Sequence, residues 1–173
     1  MRPFSSLILL SLVAVIAAFL PGLGCTESPF PKASGPVNDF ADAMSAPYEK
    51  RIGRIAEELR VKTGVELVLV TMRDLGGADP KEYVPRLYQA WAVGKNGKDR
   101  GVLIFVSRKE QTMRIHTGTG LKTVLSQRQI AEIQDRFVAP LLKQNDYDNG
   151  LLNGVVAVAK IIGKESGVTL KEL

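Results

Sequence analysis

The sequence predicts an α/β domain, a three-layer αβα sandwich with a small mixed β-sheet. Two apolar runs rich in branched residues, Val65–Met72 and Val102–Ser107, have the length and composition of buried strands. A segment with helical spacing lies between them, and two strands joined by a helix pair in parallel. After the polar turn "RKEQ", the segment Thr112–Thr117 alternates between polar and apolar residues and predicts an antiparallel partner strand.

Cap residues define the first two helices. Ser45 is placed to cap a helix that ends at Gly64, where a left-handed residue is favoured. Asp79 caps the second helix, with Pro80 in its first turn and Glu82 completing a capping box. We expect both helices to pack against the sheet.

Two further helices follow the predicted strands. Ser126 and Gln129 open a third helix, which is expected to turn Phe137 inward and to stop before Pro140. The last helix is expected from about residue 147 to residue 164. Together these elements place helices on both faces of the sheet.

The amino terminus has the features of a secretory signal at residues 1–24. Arg2 precedes an apolar run from Leu7 to Leu20, which is shorter than the roughly 20 residues that span a bilayer. Cys25 would then be the first mature residue, as in a bacterial lipoprotein. Lipid attachment and ordinary secretion are both open, and an uncleaved anchor is a third possibility. Residues 25–36 are expected to form a tether, and residues 37–165 the folded domain.

Composition limits the classes of partner. The net charge of +5 comes from dispersed basic residues with no basic-aromatic patch, which argues against nucleic acid. A single cysteine excludes an intramolecular disulfide, so an exported domain must be held together by its core. We expect localisation in the periplasm or cell envelope, with membrane contact only through the signal or a lipid on Cys25.

The usual hydrolytic and zinc motifs are poorly supported. His116 is the only histidine, no G-x-S-x-G motif is present, and one histidine with one remote cysteine cannot supply the ligands of zinc. The glycine-rich stretch Gly118–Leu121 lacks the ending of a phosphate-binding loop. A chain reversal that requires positive φ is the favoured interpretation of these glycines.

Three aspartates in loops are the candidate metal ligands. Asp39 precedes the first helix, Asp99 precedes the second long strand, and Asp146 precedes the last helix. Each has an ordinary explanation as a turn former or a helix cap. If the three loops met at one edge of the sheet, their carboxylates would suit Ca²⁺ or Mg²⁺. The spacing alone leaves both explanations open.

Five segments, taken in order, resemble the TPM domain. They are "VNDFADAMS", "KTGVELVLVTM", "YVPRLYQAWAVGKNGKDRGVLIFVS", "MRIHTGTGLKTVLS" and "NDYDNGLLNGV", and they cover about residues 36–162. The family is extracytoplasmic or in the thylakoid lumen, and is named for a lumen protein linked to photosystem II repair. The resemblance implies an αβα sandwich, an association with divalent metal, and acidic positions at Asp39, Asp99 and Asp146.

Two functions follow as expectations. The first is an exported envelope binding or assembly-support module that holds a divalent ion and has a protein partner. The second is a metal-assisted acid phosphatase, since the resemblance extends to a plant relative with that activity. Lys98 and Arg100 beside Asp99, with Arg114 near, would supply donors for phosphate oxygens. No nucleophile with a partnered base is visible in the sequence.

Overall fold

A computed structural model describes residues 30–95 and 98–173, so the predicted signal and Cys25 lie outside the described residues. The strands are β1 (Val37–Asp39), β2 (Glu66–Met72), β3 (Gly101–Ser107) and β4 (Thr112–Thr117). The helices are α1 (Ala46–Thr63), α2 (Pro80–Ala90), α3 (Gln127–Glu132), α4 (Ala139–Lys143) and α5 (Tyr147–Glu165). A 3₁₀ turn (Thr119–Leu121) follows β4, and a π-helical stretch (Ile133–Val138) joins α3 to α4.

The four strands form one mixed sheet in the order β1-β2-β3-β4. β1 and β3 both pair with β2 in parallel, and β4 pairs antiparallel with β3. The α/β sandwich, the parallel central pair and the antiparallel third strand are therefore confirmed. β1 was not predicted, because three residues are too few to show a strand periodicity in the sequence.

The sheet has a hydrophobic core on each face. Alternate residues of β2 and β3 pack against α1, α5 and the π-helical stretch on one face. The residues between them, Val68, Val70, Leu103 and Phe105, pack against α2 on the other face. The connection from β1 to β2 through α1 and the connection from β2 to β3 through α2 both move one strand in the same direction across the sheet. However, α1 and α2 lie on opposite faces of the sheet. The two connections therefore have opposite hands, although nearly all such crossovers are right-handed.

Helix caps follow the sequence with two exceptions. Asp79 caps α2 by accepting from the backbone N–H of Lys81 at 2.8 Å, and Glu82 does not complete the predicted capping box. Gly64 ends α1 in a left-handed conformation (φ 69°), and Ser126 and Gln129 form the expected capping box. Ser45 is the N-cap of α1, but its side chain makes no cap hydrogen bond. Its hydroxyl and its backbone N–H donate instead to the Asp148 carboxylate, each at 2.8 Å. This pair ties the start of α1 to the first turn of α5.

The third helix differs from its prediction. It does not stop before Pro140, because the chain passes through the π-helical stretch and Pro140 falls in the first turn of α4, where a missing N–H is tolerated. A π turn adds a residue to the helical register. Val138 is consequently fully buried, whereas Phe137, predicted to face inward, is 45% exposed.

Segments outside the predicted domain bounds also contact it. The Trp91 indole N–H donates to the carbonyl of Pro31 at 2.9 Å, so part of the predicted tether packs on the domain. At the other end, the backbone N–H of Lys171 donates to the Glu58 carboxylate. In the part of the chain that the structure describes, no helix is long and apolar enough to cross a membrane.

Candidate functional site

A crevice opens at the carboxyl ends of the parallel strands. The loops that follow β1 and β2 lead to helices on opposite faces of the sheet, and this arrangement creates the crevice in which α/β proteins bind ligands. A cavity of about 480 Å³ lies here. It is lined by Ala41, Asp42, Arg73, Arg108 and Lys109. We call this the carboxyl-edge cleft.

Four carboxylates, the acidic group, gather beside this cleft: Asp39, Asp42, Glu49 and Asp148. Partial burial is the main cause that raises the pKa of Glu49 above its ordinary value. The negative charges of the other three carboxylates raise the pKa of Glu49 further. The sequence separates these residues by up to 109 positions, but the contact between α1 and α5 brings them together.

Two members of the acidic group are occupied by local hydrogen bonds. The Asp39 carboxylate accepts from the backbone N–H groups of Ala43 (2.9 Å) and Met44 (2.8 Å), and from the hydroxyl of Thr71. Asp148 accepts both donors of Ser45. These two aspartates therefore hold the loop that precedes α1.

The other two members have free oxygens. Neither Asp42 nor Glu49 accepts a side-chain hydrogen bond or forms an ion pair within residues 30–95 and 98–173. Asp42 is exposed and adopts a left-handed backbone conformation (φ 50°). Asp39 was a candidate metal ligand in the sequence, and Asp42 was not. In the structure Asp39 is the local hydrogen-bond acceptor, and Asp42 lines the cleft.

Three cations line the cleft together with Asp42. Arg73 directly follows β2, and Arg108 and Lys109 directly follow β3. Among the described residues none of the three is in an ion pair. The Arg108 guanidinium lies 5.1 Å from the centre of the Tyr147 ring, a cation–π distance. Sequence reasoning missed these cations, although their positions just after two parallel strands were a usable signal.

The structure separates the three predicted metal ligands. Asp39 ends β1 and is in register with Thr71, near the carboxyl end of β2. Asp99 precedes Gly101, which is in register with Glu66 at the amino end of β2. Thr71 and Glu66 are five residues apart on β2, which is a distance of about 16 Å at about 3.3 Å per residue. One ion cannot bind both Asp39 and Asp99, so the predicted meeting of the three loops at one edge is wrong.

Asp146 has the ordinary role of a helix cap. Its carboxylate accepts from the backbone N–H of Asn149 at 3.2 Å and from the Asn149 side chain. Within the described ranges, no group of three or more acidic, histidine or cysteine side chains is arranged to hold a metal ion. Metal binding by Asp39, Asp99 or Asp146 singly stays a prediction.

Asp99 is the centre of a second polar site at the amino ends of the strands. Its Oδ2 accepts from the backbone N–H (2.7 Å) and hydroxyl (2.9 Å) of Thr119, and its Oδ1 accepts from the Tyr88 hydroxyl (2.8 Å). The Thr119 N–H first, and the Tyr88 hydroxyl next, hold the pKa of Asp99 below its ordinary value. The half-buried His116 ring packs edge-on against Tyr88, at 4.7 Å between ring centres. Burial is the main cause that lowers the pKa of His116.

The glycines of "GTGL" have a different role from the predicted one. Gly118 has φ −65°, and Gly120 is also outside the positive-φ region. A Cβ on Gly118 would lie 2.0 Å from the carbonyl oxygen of Asp99, and one on Gly120 would lie 2.2 Å from that of Lys98. These glycines allow two backbone segments to approach closely, so the expectation of positive φ was wrong.

These features define the class of protein, which is an αβα sandwich with a charged cleft at the carboxyl ends of its parallel strands. The sequence matches the TPM domain family over residues 37–161. Because the match covers most of the chain, the protein belongs to the TPM domain family. Among curated proteins, no sequence matches this chain.

Three solved bacterial structures share the fold. The N-terminal domain of a P. gingivalis protein is 25% identical, with 76% of this chain and 84% of that chain covered and a TM-score of 0.72. A protein from the psychrophilic bacterium Bizionia argentinensis is 19% identical, with 70% and 82% covered and a TM-score of 0.61. An N-terminal domain from Corynebacterium glutamicum is 17% identical, with 81% and 86% covered and a TM-score of 0.57.

Proposed function

We propose that this TPM domain acts outside the cytoplasm as an envelope binding or assembly-support module that holds a divalent cation at the acidic group beside the carboxyl-edge cleft. The observation that carries the proposal is the acidic group, in which four carboxylates gather and two keep free oxygens. Like charges at short range are unfavourable, and a cation relieves the repulsion. Export rests on the features of residues 1–24, and membrane attachment on a lipid at Cys25.

The donor chemistry of Asp42 and Glu49 fits a hard cation. Ca²⁺ and Mg²⁺ both prefer oxygen ligands, and Mg²⁺ is commonly bound through one or two carboxylates with water in the other positions. Asp42 is close enough to Glu49 for its charge to raise the pKa of Glu49. Asp39 and Asp148 add negative charge without needing to ligate, since their oxygens already accept hydrogen bonds.

A cation held in this way suits an assembly role. Two protein carboxylates leave several coordination positions to water, and a carboxylate of a partner protein can replace those waters. The cations Arg73, Arg108 and Lys109 lie beside the same cleft and can pair with further acidic groups of that partner. We therefore expect the partner to be an envelope protein with an acidic contact surface.

The second candidate is a metal-assisted acid phosphatase. It is favoured by the three unpaired cations, which can donate to the oxygens of a phosphoryl group beside Asp42. When bound, a divalent cation polarises a phosphoryl oxygen and lowers the pKa of a bound water. Lys98 and Arg100 flank Asp99 at the other end of the sheet, and Arg114, which was expected near Asp99, is in register with Phe105 instead. This candidate therefore depends on Arg73, Arg108 and Lys109.

Calorimetric titration of the chain without residues 1–24 tests the cation site. We expect binding of one Ca²⁺ or Mg²⁺ per chain, with strong weakening by Asp42→Asn and by Glu49→Gln. Asp135→Asn is the matched control, because Asp135 is exposed on the π-helical stretch and is not among the charges that act on Glu49. Equal affinities in all four proteins, or no binding at millimolar cation, would overturn the proposal.

Hydrolysis of p-nitrophenyl phosphate at acidic pH separates the two candidates. The binding module predicts no turnover above that of the Asp42→Asn and Arg108→Gln variants. The phosphatase predicts cation-dependent turnover that both substitutions reduce by at least tenfold. Lys143→Gln serves as the control for loss of an exposed positive charge.

A further inference from the structure

A second cavity, of about 600 Å³, lies at the opposite end of the sheet from the acidic group. Its lining includes Tyr88, Lys95, Asp99, His116, Thr119 and Lys122. We call it the amino-edge pocket. We propose that the amino-edge pocket binds the carboxylate of a small organic monoanion. The proposal is independent of the cation site, because no residue is shared between the two.

The base of the pocket is held rigidly before any ligand arrives. Three hydrogen bonds fix the Asp99 carboxylate, and they come from two different segments of the chain. Asp99 is held at φ 48°, an unusual conformation for a residue with a side chain. Gly118 packs so tightly that an added Cβ would meet the carbonyl oxygen of Asp99 and the Tyr88 hydroxyl. The base of the pocket is therefore ordered without a ligand, so binding does not have to order it.

Positive charge dominates the pocket lining. Lys122 forms no ion pair among the described residues, and the Lys95 ammonium contacts only the carbonyl oxygen of Gln89, at 3.3 Å. Burial is the main cause that lowers the pKa of His116, the charge of Asp99 opposes it, and the charge of Lys122 adds to it, so the neutral form of His116 is favoured. Two ammonium groups and one carboxylate therefore leave one net positive charge at the pocket.

That charge balance selects the class of ligand. A monoanion neutralises the pocket, whereas a phosphate dianion brings excess negative charge close to Asp99. The three hydrogen bonds stabilise the ionised form of Asp99, so protonation does not readily relieve that repulsion. A neutral His116 can donate one ring N–H to a carboxylate oxygen and offers an apolar ring face to the rest of the ligand. A carboxylate joined to a small apolar group matches both features.

Proton NMR gives a direct test, because His116 is the only histidine of the sequence and its ring protons are an unambiguous reporter. The chain without residues 1–24, prepared without a histidine tag, is titrated with benzoate at constant pH and ionic strength. We expect saturable shifts of the His116 ring protons. Lys122→Gln should weaken binding about two- to fivefold, the range for one partly exposed charge pair. Lys160→Gln, an exposed substitution on α5, should leave the affinity unchanged.

Two further titrations distinguish the alternatives. Benzyl alcohol has the same ring without the charge and should cause no saturable shift of the His116 ring protons. Inorganic phosphate should bind more weakly than benzoate. The proposal is overturned if benzoate produces no saturable shift, if benzyl alcohol matches it, if phosphate binds more tightly, or if Lys122→Gln binds benzoate as the parent chain does.

Discussion

Thr71 and Asp39 face each other across the β1–β2 pair, and the Thr71 hydroxyl donates a hydrogen bond to the Asp39 carboxylate. Thr71 is fully buried, and the same carboxylate also accepts two backbone N–H groups from the loop before α1. One side-chain pair therefore links the edge strand, the central strand and the loop that carries Asp42 to the cleft.

Thr71→Val removes this hydroxyl with little change in shape. We expect the free energy of unfolding to fall by about 1–3 kcal/mol, because a partly buried acceptor loses its donor. Urea denaturation measures the change, and Thr169→Val on the exposed C-terminal segment is the control. Equal stabilities for the two variants would show that the Thr71–Asp39 pair contributes nothing.

The core prediction concerns two neighbouring residues of the central strands. Leu69 and Ile104 are in register on β2 and β3, and both are fully buried. Leu69→Ala and Ile104→Ala should each lower the free energy of unfolding by about 2–5 kcal/mol, through lost burial and a new cavity. Val61→Ala on the exposed surface of α1 should change it by less than about 0.5 kcal/mol. A small effect of either core substitution would contradict the packing described here.

The sequence was sufficient for most of the fold because each main element carries its own local signal. The apolar composition of β2 and β3, the alternation in β4, and the caps at Gly64 and Ser126 depend only on neighbouring residues. Errors arose where the signal is not local. Nothing in the composition marks the π-helical turn that moves Phe137 outward, and three residues are too few to identify β1.

The site was harder to predict because it depends on which end of the sheet each loop occupies. Asp39 and Asp99 were grouped by residue type, although one ends a strand and the other precedes one. Parallel strands place such positions at opposite edges of a sheet. Arg73 and Arg108 each follow a parallel strand, so topology alone could have assigned them to the cleft. The approach of α5 that brings Asp148 to the acidic group has no sequence signal.

Close backbone packing gives a prediction that distinguishes two glycines. Gly118→Ala should destabilise the fold by more than 1 kcal/mol, since an added Cβ would lie 2.0 Å from the carbonyl oxygen of Asp99. Gly53→Ala should be neutral or stabilise it by about 0.5–1 kcal/mol, because Gly53 lies within α1 and a Cβ there meets no atom within 4 Å. Thermal melting of the two variants measures the contrast. A stable Gly118→Ala protein would show that the segments can separate at little cost.

The last prediction is the pH dependence of stability caused by Glu49. Burial and the charges of Asp39, Asp42 and Asp148 raise its pKa in the folded state above the ordinary value of 4.5. Between the two values the folded protein retains a proton that the unfolded chain has lost, so this group lowers stability as pH rises. Glu49→Gln should therefore be more stable than the parent chain at pH 7, with the advantage vanishing below about pH 4. Glu57→Gln should be less stable than the parent chain at pH 7, because a hydrogen bond from Arg60 is the main cause that lowers the pKa of Glu57. Denaturation across pH 3–8 in chelator measures both, and saturating Mg²⁺ should abolish the advantage of Glu49→Gln if Glu49 ligates the cation. A parent chain that is more stable than Glu49→Gln in chelator at pH 7 would show that the carboxylates of the acidic group do not repel one another.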